Sequence, residues 1–128
     1  MCIKDLILEK YLEHLNSKVE KYYNIYHFSM EPNHTSHNNE ADAFKHTYMS
    51  AELTVYLGSK IAYTIGKMHE DNNKYNTPEE YNMDMHNNSK GIEIGKTIKF
   101  GIFKKNLDDI IAEKVMQYMN NGELITTV

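Results

Sequence analysis

The chain has no arginine and no tryptophan, one cysteine and two prolines among its 128 residues. All 14 basic residues are therefore lysines. Without the bidentate guanidinium fork, a dedicated phosphate-reading surface is disfavoured, although isolated lysine–phosphate contacts are not. The net charge of −4 with histidine neutral also argues against a nucleic-acid partner. Only Lys96, Lys99, Lys104 and Lys105 gather into a basic segment. The lone cysteine, Cys2, permits neither a disulfide within the chain nor a zinc site built on thiolates. No apolar run approaches the ~20 residues of a membrane span. The first ten residues, MCIKDLILEK, carry too many charges for a signal peptide. The expectation is a protein made in the cytoplasm, a location compatible with signal-independent export. The length predicts one domain, 1–128, large enough for a real core.

Apolar residues recur at helical spacing along most of the chain. Leu8, Leu12, Leu15, Val19, Tyr22 and Tyr26 form one stripe and predict a first helix over about 5–23. Residues 27–40 are rich in Asn, His and Ser and read as a long loop, a feature that often carries function. Its His34 and His37 have HxxH spacing, which in such a context most often marks solvated side chains. A second helix over about 41–57 carries two apolar stripes, one through Ala41, Phe44, Tyr48, Ala51 and Val55. The other runs through Asp42, His46, Met49, Leu53 and Leu57. Lys45 and Glu52 mark its charged strip. A helix apolar on two sides is buried on two sides, so this is expected to be the central helix, with His46 inward.

A third helix is expected from Ser59, taken as its cap, to His69 and Glu70. Thr77, Pro78 and Glu80 make a capping box with proline at the first helical position, the sharpest helix start in the chain. The helix that follows carries Gly91 and Gly95 on the face of Tyr81, Asp84 and Asn88, where another backbone can approach closely, and a break is expected near Asn87 and Asn88. Residues 97–103 alternate partly and allow a short strand. Asn106 caps a last helix that ends before Gly122, with Leu124 packing back. The fold class expected is all-α, a bundle of four to five helices.

Three polar clusters lie beside these apolar runs. Such groups are costly to bury unless they are paired or ligate something. Asp42 and His46 stand one turn apart, so the carboxylate can orient the imidazole for work as a base or as a metal ligand. The bland reading is a core histidine satisfied by Asp42. His69 is well placed at a helix C-terminus, but Glu70 is not, because a carboxylate opposes the helix dipole there. The HExxH zinc pattern is absent, since Asn73 stands at the second histidine position. Asp84, His86 and Asn88 combine the ligand types that suit a divalent ion or a polarised carbonyl; a helix-ending turn would also explain the asparagines. Tyr48 and Tyr63 each have a hydroxyl that could reach such a site. No phosphate-binding glycine loop or nucleophile elbow is present.

The stretch NEADAFKHTY at 39–48, with Ser50, Ala51 and Gly58, then HE at 69–70, then MDMHNNSKG at 83–91, resembles a family of small bacterial domains. Its pattern is DAFRHAYW, then HE, then MDLHNNxxGR. The resemblance covers about 38–95. It implies a helical fold in which the three clusters lie near one another. Members of that family stand alone or at the ends of larger secreted or toxin-like proteins, and many are uncharacterised. This chain departs from the pattern at Lys45 and around Lys90 to Ile92, where the pattern carries arginine. It also departs at Thr47 and Met49, which replace Ala and Trp.

Two functional classes follow. One is a small effector-type hydrolase acting on a phosphoester, lipid or cell-wall bond. Its catalytic residues would be His46, Asp42, Glu70, Asp84 and Asn88, and His69, Glu70, Asp84 and His86 would serve as ligands of a divalent metal ion. The other is a non-enzymatic interaction module, an inhibitor or adaptor whose polar clusters form a structural network. The second expects no open pocket at His46. The substrate, the protein partner and the oligomeric state are not legible in the residues.

Overall fold

A computed structural model describes residues 3–29, 39–73, 76–98 and 106–127. Five helices follow in order: α1 (Ile3–Ile25), α2 (Glu40–Leu57), α3 (Ser59–Asp71), α4 (Pro78–Thr97) and α5 (Leu107–Asn120). The described residues contain no strand. Most of the segment expected to allow one, and the HxxH loop, lie outside them.

The helix starts are set locally. Asn39 accepts a hydrogen bond from the Asp42 amide, Thr77 from Glu80 and Asn106 from Asp108, each satisfying an otherwise orphaned donor. Ser59 is not the cap of α3; it is the first helical residue, and the capping position belongs to Gly58, which makes no side-chain cap. Gly58 takes φ 95° and ψ 157°, a conformation open essentially to glycine alone, and so turns the chain from α2 into α3 in one residue.

α2 is the central helix: α1, α3, α4 and α5 all pack on it, α4 most extensively. One side of α2 enters an aromatic core. Phe44 and Tyr48 stack with centroids 5.6 Å apart, and Tyr22 of α1 lies 5.4 Å from Tyr48. Ile94, Ile111 and Val115 complete that core from α4 and α5. The α2–α4 crossing is close because Gly91 and Gly95 face it. A Cβ at Gly91 would overlap the Thr47 carbonyl oxygen, and one at Gly95 would meet Thr54 Cβ at 2.5 Å.

Two expectations are corrected here. α4 does not break at Asn87 and Asn88; it runs on to Thr97, and the buried Asn87 side chain bonds the backbone of Ile125 instead of ending the helix. Glu52 does not lie on a wet strip. It is 0% exposed. Tyr48 donates its hydroxyl to Glu52, and Lys18 of α1 lies 3.3 Å from the same carboxylate. Lys18 also reaches Asp108 at 3.2 Å, so this polar cluster ties α1, α2 and α5. Tyr48 is thereby committed to Glu52 and offers no hydroxyl to the histidine.

Candidate active site

The first two turns of α2 point Asp42 and His46 toward α3 and α4. Asp42 lies in the first turn, where the helix dipole favours a carboxylate, and His46 follows one turn later. Its imidazole meets three carboxylates from three helices. Nε2 lies 3.2 Å from Asp42 and 3.3 Å from Asp84 of α4, and Nδ1 lies 3.8 Å from Glu70 at the end of α3. All three acids are buried. Glu70, poorly placed by its helix dipole, is held from outside the helix: Asn76 donates to its other oxygen at 2.7 Å.

The charges do not balance. Three carboxylates surround one imidazole, so even the protonated ring leaves an excess of buried negative charge. Burial alone would lower the His46 pKa. The hydrogen bond that the ring gives to Asp42 and the charges of Asp84, Asp42 and Glu70 outweigh it and raise that pKa. Asp84 is pushed up to about 7, first by burial and then by the charges of Glu70 and Asp42, with His46 opposing. Among the described residues, one buried side-chain atom has no hydrogen bond: Asp84 Oδ1. Nε2 has a single hydrogen to give, and Asp42 takes it.

Asp42, His46 and Asp84 together form a group that could hold a metal ion, with one ligand atom of each lying within 4.8 Å of the others. Two carboxylate oxygens a little over 3 Å from one ring nitrogen, one of them orphaned, suit ligands that share a small ion. Two oxygens and an imidazole fit Mn²⁺, Zn²⁺ or Mg²⁺ better than a soft ion.

Above His46 an open groove of about 590 Å³ runs along α2, with α1 on one side and α3 on the other. Leu12, Met49, Leu53 and Ile65 give it apolar lining; His46, Glu70, Lys45 and Asn88 are polar groups on one side of it, and α1 adds Glu9, Glu13, Asn16 and Ser17 on the other. Thus the two stripes of α2 serve different ends, one the aromatic core and one this groove.

Asp42, His46, Glu70 and Asp84 are brought together, and Asn88 stands beside them on the groove wall between α3 and α4. His69 is exposed on the groove rim and does not join the cluster. His86 points the other way: its Nε2–H donates to the Glu123 carbonyl at 2.8 Å. Tyr63 is exposed on the far side of α3. Sequence reasoning did not single out Lys45, Met49 or Leu53 as groove residues, although Met49 and Leu53 were on the stripe of His46.

Fold and site define a small all-helical domain with a buried histidine–carboxylate centre beneath an open groove. The chain belongs to an uncharacterised family, described as domain of unknown function DUF6973, whose model matches residues 12–123. That span contains every member of the centre and starts at Leu12 of the groove wall. No solved structure matches the chain.

Proposed function

We propose that the protein is a small hydrolase, assisted by a divalent metal ion, that cleaves an ester or phosphoester bond of a substrate with an apolar portion. The observation that carries this reading is the convergence of Asp42, Asp84 and Glu70 on His46, which together with Glu70 lines the groove. Asp42, His46 and Asp84 would hold the ion, which would polarise the scissile bond and make bound water nucleophilic near neutral pH. Glu70 faces the opposite ring nitrogen and fixes the orientation of His46, the usual role of a carboxylate behind a ligating histidine. The Asn88 amide donates to the oxyanion that develops as water adds, and Lys45 neutralises negative charge on the substrate. Hydrolysis adds hydroxyl to the acyl or phosphoryl group and a proton to the departing oxygen.

The open groove at His46 favours this reading over the interaction module, which expects a sealed polar network. An effector role rests on the resemblance of the motifs alone and belongs to the same proposal. The test is a metal analysis of the purified protein, with turnover of a panel of carboxyl esters, phosphomonoesters and phosphodiesters by wild type, His46→Ala and Asp84→Asn. Metal bound in about equal amount to protein, with turnover lost in both folded variants, is the expected result. A protein that binds no Mn²⁺, Zn²⁺ or Mg²⁺ and turns over none of the panel would defeat it.

A further inference from the structure

α3 forms one wall of the groove, and it leaves large apolar side chains exposed. Ile61 and Met68 are each about half exposed along its groove edge, Leu57 joins them from the end of α2, and Tyr63 is exposed on the far side. Ile61 and Met68 lie two turns apart on the same side of α3 as Ile65, which enters the groove. Along the other edge of α3, Lys60 and Lys67, with Lys96 of α4, line a second recess of about 380 Å³, with Tyr63 among them. Lys67 pairs with Asp71. Among the described residues, neither Lys60 nor Lys96 has an ion pair. A chain with net charge −4 therefore concentrates positive charge next to exposed aliphatic and aromatic side chains.

From this juxtaposition we infer that α3 docks the protein on an anionic phospholipid bilayer, with the groove opening beside the membrane. Exposed aliphatic side chains flanked by lysines and a tyrosine are the composition of a helix that lies in the headgroup region. The lysine stems reach along the helix while their ammonium groups meet lipid phosphates. A second copy of the chain fits less well, because a two-fold contact through this face sets the lysines against their own equivalents. No helix among the described residues is long and apolar enough to cross a membrane, so attachment of this kind is peripheral. Docking stands on these surface residues alone. Only its corollary, that the cleaved substrate is a lipid of that bilayer, rests on the hydrolase reading.

Flotation with phosphatidylcholine vesicles, with and without phosphatidylglycerol, tests the inference at low and high salt. The wild type is expected to float with the anionic vesicles, less at high salt, and weakly with phosphatidylcholine alone. Replacing Lys60 and Lys96 by Gln should lower the partition by about thirtyfold. Ile61→Glu with Met68→Glu should abolish it, each pair being checked for helix content because these sites are exposed. His46→Ala should float as the wild type does. Absence of binding to anionic vesicles would overturn the inference even if soluble esters are hydrolysed. So would binding indifferent to both variant pairs, or a wild-type dimer in sedimentation that Ile61→Glu with Met68→Glu dissolves. Binding without any hydrolysis would remove the corollary and leave the docking intact.

Discussion

Asn87 and Ile125 exchange two hydrogen bonds, the Asn87 amide donating to the Ile125 carbonyl at 2.9 Å and accepting from its N–H at 2.9 Å. A side chain in the middle of α4 thus imitates a strand partner and clamps the C-terminal segment to the bundle. His86 adds a third bond to the same segment through Glu123. Asn87→Ala is expected to cost about 2 kcal/mol, because it strands a donor and an acceptor that are only partly wet. Asn87→Asp keeps the acceptor but sets a buried, charged oxygen against the Ile125 carbonyl, and should lose at least as much. Urea denaturation checks both, and equal stability of all three proteins would show that the clamp carries no weight.

Gly91 and Gly66 should respond oppositely to the same substitution. Alanine gains up to about 1 kcal/mol over glycine in a helix interior. At Gly91 the new methyl group meets the Thr47 backbone, so α4 must move off α2, and a net loss above about 2 kcal/mol is expected. At Gly66 it meets the end of the Asn88 side chain at 3.0 Å, which can shift. Gly66→Ala should then be near neutral in stability but should disturb Asn88 in the groove. Thermal melts read the first effect, and turnover at unchanged metal content reads the second.

The pH dependence of stability follows from the site. The folded-state pKa of Asp84 is raised from 3.8 to about 7. The native state therefore binds this proton more tightly than the unfolded chain, and its contribution is lost as pH rises between about 4 and 7. His46 is also raised, from 6.5, so its contribution is present below that value and lost above it. Metal-free protein should become less stable from pH about 5 upward, and Asp84→Asn should flatten the acid side of that decline. A divalent cation favours the ionised carboxylates, so the melting temperature gained on adding Mn²⁺ or Zn²⁺ should grow with pH. A metal-free stability that rises steadily over this range would contradict the assignment.

Much of the histidine site was legible because its cues are local. The four-residue spacing of Asp42 and His46, the misplaced acid at the end of α3 and the polar run after a strong helix start each stand in one short segment. Their meeting was an expectation, and the close α2–α4 crossing at Gly91 and Gly95 realises it. His86 was read as a ligand because residue type is visible and direction is not. Its direction depends on α4 continuing through Asn87, and that depends on Ile125, 38 positions away. Glu52 was misread for the same reason: its partners Lys18 and Asp108 come from other helices, and a lone glutamate in a helix ordinarily faces water.

Those partners lead to a further expectation. Burial raises the Glu52 carboxyl to about 7, with Asp108 adding to the shift and Tyr48 and Lys18 opposing it. Lys18→Met removes the only cation at the cluster among the described residues, so Glu52 should stay protonated to higher pH. The loss of stability should be small near pH 5 and should reach about 1–2 kcal/mol near pH 8, discounted because Lys18 is partly wet. Glu52→Gln in the same background should restore most of it. Melts of the three proteins at both pH values decide the matter, and a loss independent of pH would point to packing of the Lys18 stem instead.

The single-residue reversal at Gly58 gives the groove an uneven construction. Its floor and one side are a single length of chain folded back at one joint, while the opposite side, α1, comes from a separate part of the chain and is tied to the floor and to α5. Widening the channel for a bulky guest therefore demands rotation about Gly58 or a slide of α1, and the imidazole, anchored in the floor, keeps its place during either.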